Sequence, residues 1–149
     1  MTPRALLPVA LLAALTAVGA HLRIPFPYVP VTLQAAFVCL AGLLLGPWRG
    51  SASQIVYVTA GLVGFPVFAR GGGLHYVFEP SFGYLLGFIA GAGICGLIAG
   101  PSPGLIRSVI AAWAGMLAIY VIGVFVLYLN LRFVAGTDAG MAHTAQLGL

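Results

Sequence analysis

The stretch that decides the fold reads SVIAAWAGMLAIYVIGVFVLYLNL and covers residues 108–131. Its 24 residues carry no formal charge, and Arg107 and Arg132 bound it on either side. A helix needs about 20 predominantly apolar residues to cross the ~30 Å hydrocarbon core of a bilayer. The stretch is long enough to cross once, and it therefore predicts a transmembrane helix.

Outward from this stretch, charged residues divide the rest of the chain into four more uncharged segments of at least 18 residues. These segments are 5–22, 24–48, 50–69 and 80–106. Prolines crowd the front of the second one, so its helix is expected to start near Thr32. The fourth helix is expected to end near Ala99, before a run rich in glycine and proline.

Together the segments predict an all-α integral membrane protein, a polytopic helical bundle in one domain over residues 1–149. The bundle is expected to have five full transmembrane helices plus a truncated sixth, because only eleven residues follow Asp138. The first segment is expected to be a retained helix rather than a cleaved signal peptide.

Composition supports this class and excludes others. Hydrophobic residues make up 62% of the chain, and only six arginines and two acids carry charge. Soluble domains carry about 25% charged residues, so a soluble enzyme is excluded, and disorder needs low hydrophobicity. The arginines are scattered, so nucleic-acid binding is not expected.

No Walker, GxSxG or GxGxxG motif occurs. Neither a metal nor a cofactor is predicted, and Cys39 and Cys95 are expected to be buried thiols rather than a disulfide.

Small residues four apart recur in three of the predicted helices. The rows are Gly83, Gly87 and Gly91; Gly42 and Gly46; Ala10 and Ala14; and Ala13 and Ala17. Such residues share one helix face and let two backbones approach closely. The spacing alone leaves open whether each row packs inside the bundle or against a partner.

The candidate site lies in the long loops at one end of the predicted bundle, 22–31 and 65–81, whereas the turns at the other end are short. Both long loops combine aromatic residues with a few polar groups, as small-molecule pockets do. Arg70 precedes three consecutive glycines, whose amides are able to form an anion-holding nest. Arg70 either grips a carboxylate or extends to water at the membrane interface.

These residues also carry a resemblance to a known family. The matching segments are VPVTLQ at 29–34, AGLLLGP at 41–47, GLVGFPVFA at 61–69, GGG at 71–73 and GYLLGF at 83–88. In this order and spacing, the chain resembles the BioY family, the biotin-binding membrane subunits (S components) of transporters of the energy-coupling-factor (ECF) class.

The resemblance implies a multi-pass protein of the plasma membrane that captures biotin near the outer face. Its partners would be the lipid bilayer, a transmembrane coupling subunit and cytoplasmic ATPase subunits of an ECF module. The coupling subunit would pack on the small residues of the first helix, which are Ala10, Ala13, Ala14 and Ala17.

With biotin as the ligand, six residues are expected to form the site. Arg70 would bind the ligand carboxylate, with Gly72 and Gly73 lining its approach. Thr32 and Gln34 would hydrogen-bond the ligand. Tyr84 would stack on it or bond to it.

Two departures from the family pattern keep other functions open. A Gly-Asp-x-x-Lys helix is expected beyond Leu149, where the chain stops, so the chain is either a fragment or degenerate. Glu79 stands where a small residue is expected and would repel a carboxylate unless a partner neutralised it. The alternatives are a subunit for another vitamin, a membrane scaffold without a ligand and, third, a membrane enzyme.

Overall fold

Four α-helices make up most of residues 3–24 and 31–133, the part of the chain that the computed structural model describes. In chain order the elements are α1 (Pro3–His21), β1 (Arg23–Ile24), β2 (Val31–Thr32), α2 (Gln34–Val63), a 3-10 helix (Leu74–Phe78), α3 (Phe82–Ala99) and α4 (Leu105–Phe133). The two short strands pair antiparallel, with Arg23 opposite Thr32. The structure thus confirms the all-α class apart from this small hairpin.

Helix α2 is broken at Gly46 and folds back on itself. Gly46 has φ 76° and ψ −179°, and Pro47 follows it. The Gln34 amide nitrogen nevertheless donates a hydrogen bond to the Tyr57 hydroxyl, 23 residues further along the chain. A straight helix would separate these residues by roughly 35 Å, so the arms 34–45 and 47–63 lie side by side.

The predicted count of five full helices plus a truncated sixth is not supported. Among the described residues there are four α-helices, and the predicted segments 24–48 and 50–69 overlap the two arms of α2 on either side of the break at Gly46. The arm 34–45 is too short to cross a bilayer by itself. Segment 50–69 is helical only to Val63. Gly64 caps α2 there with φ 122°, a conformation that favours glycine. The predicted sixth helix, after Asp138, lies outside the described residues.

By length and composition three helices are able to cross a membrane, namely α2, α3 and α4, and the length of α2 includes both of its arms. In α1 the apolar part is shorter, Leu6–His21. The predicted end of the fourth segment near Ala99 is confirmed, because Gly100 caps α3 there with φ 71°.

The glycine row of α3 packs inside the bundle, against α4. A methyl group on Gly87 would lie 2.8 Å from the Ile119 carbonyl oxygen, and one on Gly91 would lie 2.9 Å from the Gly115 carbonyl oxygen. On the other side, a methyl group on Gly42 of α2 would collide with the α3 backbone. These glycines therefore let α3 contact both neighbours at backbone distance.

Two buried thiols lie where α2, α3 and α4 meet. Cys39 and Cys95 are both free and buried, which confirms the prediction made for them. The Cys95 thiol donates to the Cys39 carbonyl oxygen at 3.4 Å, and the Cys39 thiol donates to the Ala112 carbonyl oxygen at 3.6 Å.

Candidate functional site

Residues 64–81, here called the cap, fold over one end of the bundle. Phe68 and Tyr76 are its anchors, because both rings are buried to 1% exposure. The Phe68 ring lies directly over Gly61 of α2, where any side chain would collide with it. The Gly73 amide donates to the Gly61 carbonyl oxygen at 2.7 Å. The cap is therefore held against α2 by both packing and a backbone hydrogen bond.

A chain of hydrogen bonds links the hairpin, both arms of α2 and the cap. The Thr32 hydroxyl donates to the Gln34 side-chain oxygen at 2.8 Å, and the Gln34 amide nitrogen donates to the Tyr57 hydroxyl. The Tyr57 hydroxyl donates in turn to the Val67 carbonyl oxygen at 3.0 Å. The predicted site residues Thr32 and Gln34 therefore do come together, but Gln34 is buried to 4% exposure.

An aromatic cluster lies beneath the cap, next to this series of hydrogen bonds. The Phe68 ring lies 5.5 Å from the Tyr57 ring, edge to face, and 4.5 Å from the Tyr76 ring. The Ser81 hydroxyl donates to the Tyr76 hydroxyl at 3.1 Å. Burial raises the pKa of the Tyr76 phenol, so this ring stays neutral and acts as a hydrogen-bonding partner.

Sequence reasoning missed all three of these aromatic residues. Tyr57 meets Gln34 only because α2 folds back at Gly46, and local spacing carries no sign of that contact. Phe68 and Tyr76 did carry a signal, since large aromatic side chains in a glycine-rich loop usually need a buried place to pack.

Arg70 and Glu79 form an ion pair on the exposed side of the cap. The Arg70 Nη1 atom lies 3.4 Å from the Glu79 Oε2 atom, and the side chains are 35% and 32% exposed. The acid that departs from the family pattern therefore meets the predicted carboxylate-binding cation. Arg70 is neutralised in part within the cap and still reaches solvent.

The glycines after Arg70 do not offer the expected nest of amides. The Gly71 amide donates to the Phe68 carbonyl oxygen at 3.2 Å, and the Gly73 amide is bonded to Gly61. Gly71 and Gly73 have φ of 114° and 115°, a conformation that side chains disfavour. Gly72 lies against the Phe65 carbonyl oxygen, where a methyl group would collide. These glycines shape the turn, and two of their three amides are used internally.

Tyr84, in the first turn of α3, belongs to the bundle core. Its ring packs on Gly123 of α4 and lies 5.8 Å from the Tyr120 ring, edge to face. Tyr84 shares one core cluster with Tyr57, Phe68 and Tyr76. Tyr84 therefore lies next to the cap, and helix packing covers most of its ring.

An open apolar cavity of about 460 Å³ lies beside the cap. Its lining is Thr59, Leu62, Val63, Gly73 and Leu74. Val63 and Leu74 in this lining are each 75% exposed, so the cavity is a shallow depression of the surface, and Gly73 is the one predicted site residue in the lining. In the described part of the chain, no group of three His, Cys, Asp or Glu side chains is placed to hold a metal ion.

The predicted partner face of α1 splits into two. Ala13 is buried and Ala17 packs against the same core cluster, whereas Ala10 and Ala14 are exposed. Only the pair Ala10 and Ala14 faces away from the protein, so the four alanines do not form one interface.

Comparisons with known proteins agree with this architecture. The model of the BioY family matches residues 1–148. A probable biotin transporter BioY of Lysinibacillus sphaericus is 44% identical over 142 residues, which cover 94% of this chain and 72% of that protein. The biotin transporter BioY of Thermotoga maritima is 41% identical over 125 residues, which cover 83% and 74%.

A solved structure has the same fold. It is the S-component for biotin from an ECF-type ABC transporter, with a TM-score of 0.73 and 23% sequence identity. The superposition covers 97% of this chain and 88% of the other.

Proposed function

This chain belongs to the BioY family, and on that premise we propose that it is the membrane-embedded biotin-binding subunit of a vitamin uptake transporter. The observation that carries the proposal is the match of the family model over residues 1–148. Relatives more than 40% identical are named as biotin transporters, which also supports a transport role rather than an enzymatic one.

The proposed location is the plasma membrane, with several crossings and the cap at the outer face. The apolar length of α3 and α4, together with the two apolar arms of α2, supports membrane insertion. The cap supports the orientation, because long loops built on a rigid scaffold are where binding sites tend to lie.

Arg70 is proposed to bind the biotin carboxylate. Its guanidinium is partly exposed at the edge of the cap, and arginine suits a carboxylate because two parallel N–H groups match its two oxygens. Gly72 and Gly73 are proposed to line the approach. Gly73 supports this role, because it borders the apolar cavity beside the cap.

Thr32, Gln34 and Tyr84 are proposed to complete the site. The Gln34 amide nitrogen uses one hydrogen on Tyr57 and has a second. The Thr32 hydroxyl gives its hydrogen to Gln34 and can still accept one from the ligand. Tyr84 lies next to the cap, where its ring edge is able to border an apolar ligand.

The proposed partners are a transmembrane coupling subunit and the cytoplasmic ATPase subunits of an ECF module. Ala10 and Ala14 support a docking face on α1, since they are small, four apart and exposed. Helices associate in a bilayer by close packing of such residues. Ala13 and Ala17 are not part of this proposed face, because they pack inward.

Binding of radiolabelled biotin to the purified protein tests the function. Saturable binding that unlabelled biotin displaces is expected. Saturable binding of another labelled vitamin, with none of biotin, would assign the protein another substrate, and a lack of any binding would favour a scaffold.

Replacement of Arg70 tests the site. Arg70→Ala should weaken biotin binding about tenfold to a hundredfold, because a charge-assisted hydrogen bond contributes roughly 1.5–3 kcal/mol. Arg70→Lys should recover part of that loss, since lysine keeps the charge but lacks the planar fork. The matched control is Arg132→Ala, which removes an exposed arginine bonded to Tyr128 and should leave affinity unchanged. Unchanged affinity in folded Arg70→Ala protein would make Arg70 an interfacial residue.

A further inference from the structure

Glu79 is fixed in the cap within reach of Arg70. Its amide donates to the Tyr76 carbonyl oxygen at 3.0 Å, and its carbonyl oxygen accepts from the Phe82 amide at 3.0 Å. Arg70 lies in the turn between Phe68 and Gly71, whose backbones exchange two hydrogen bonds: the Phe68 amide donates to the Gly71 carbonyl oxygen at 2.8 Å and the Gly71 amide to the Phe68 carbonyl oxygen at 3.2 Å. Both backbones are therefore held by hydrogen bonds, and the side chains meet because the fold of the cap brings them together.

The contact between the two side chains is one that a ligand is able to exchange. It joins Arg70 Nη1 to Glu79 Oε2 at 3.4 Å, longer than the 2.7–2.9 Å of a strong charge-assisted bond. About a third of each side chain is exposed. Exposed pairs of this kind contribute little to stability, so separating them is not a barrier to ligand entry.

The Glu79 carboxylate presents to Arg70 the same chemical group as the proposed ligand. We propose that Glu79 is an internal competitor for Arg70, so that a carboxylate ligand binds by taking over or sharing the guanidinium that Glu79 holds. The inference rests on the proposed function, because it takes Arg70 as the carboxylate-binding group. It makes Glu79 a specificity-determining residue that lowers the affinity for carboxylates relative to neutral ligands of the same shape.

The consequence is a gain of affinity when the acid is neutralised. In Glu79→Gln the side chain keeps its shape but loses the charge that holds Arg70 and repels a second carboxylate. The dissociation constant for biotin should fall about twofold to fivefold, the range that an exposed ion pair provides. Biotin methyl ester, which has no carboxylate, should bind equally well to both proteins.

The experiment measures the dissociation constants of biotin and of its methyl ester for wild type, Glu79→Gln and Glu79→Ala in detergent. Glu79→Ala serves as the second neutral variant, and both should favour biotin over the ester more strongly than wild type does. Elution as a monodisperse peak reports folding.

The outcomes separate the inference from the proposed function. If wild type binds biotin and neither folded variant gains selectivity for it over the ester, Glu79 does not compete for Arg70. Equal tightening of biotin and ester would assign the effect to the shape of the cap and also overturn the inference. If no protein binds biotin at all, the proposed function fails first and the competitor role fails with it.

Discussion

The glycine row of α3 and the alanine pair of α1 have the same spacing and opposite surroundings. Gly83, Gly87 and Gly91 are buried against α4. Ala10 and Ala14 are exposed on the outer side of α1. In sequence both are small residues four apart in an apolar helix.

The difference shows what the spacing means in a membrane protein. Lipid is as apolar as leucine, so helices gain little by hiding apolar side chains and associate by close packing instead. A row of small residues therefore permits close approach but does not identify the neighbour. The structure identifies it for α3, whereas the α1 pair stays exposed in the described part of the chain.

The largest effect is expected from adding a methyl group to the covered row. Gly87→Ala should destabilise the bundle by about 3 kcal/mol, at the upper end of the cost of overpacking, because the obstructing atoms are the Ile119 backbone. Thermal unfolding in detergent measures it. Gly93→Ala is the matched control on the same helix, since its near neighbour is only the Ser51 hydroxyl. Equal stability of the two variants would contradict the close α3–α4 contact.

A smaller effect is expected on the inward side of α1. Ala13 is buried in the main core cluster, so Ala13→Leu should cost about 1–2 kcal/mol through overpacking. The same unfolding measurement reports it. A variant as stable as wild type would show that this side of α1 is not packed as the structure has it.

The smallest change in stability is expected on the outward side. Ala14→Trp should alter the free energy of unfolding by less than about 0.5 kcal/mol, as exposed substitutions usually do, and should leave biotin binding intact. It should nevertheless abolish co-purification with a coupling subunit, because the ring holds two backbones apart.

Two results would change this assignment of the outward face. Loss of biotin binding together with the complex would place Ala14 in the internal core. Loss of neither would place it against lipid and would require another docking surface.

The candidate site was predictable only where its residues are neighbours in the chain. Thr32 and Gln34 were found together because they are two positions apart in the chain, and their hydrogen bond is local. Tyr57 was missed because its contact with Gln34 crosses a fold in α2. The nest expected at the glycines failed for a similar reason: the Gly73 amide bonds to Gly61, twelve positions earlier.

Charge and apolar length in the sequence determined the class of protein, the approximate limits of α1, α3 and α4 and the end of the bundle that carries the long loops. These follow from local physics, since a run without charges long enough to cross a bilayer has few other stable environments. Tertiary structure alone decided that Gln34 meets Tyr57 across the two arms of α2, which small-residue rows are covered, and that Glu79 meets Arg70. Each of these depends on which backbones approach one another, and spacing within a single helix does not contain that information.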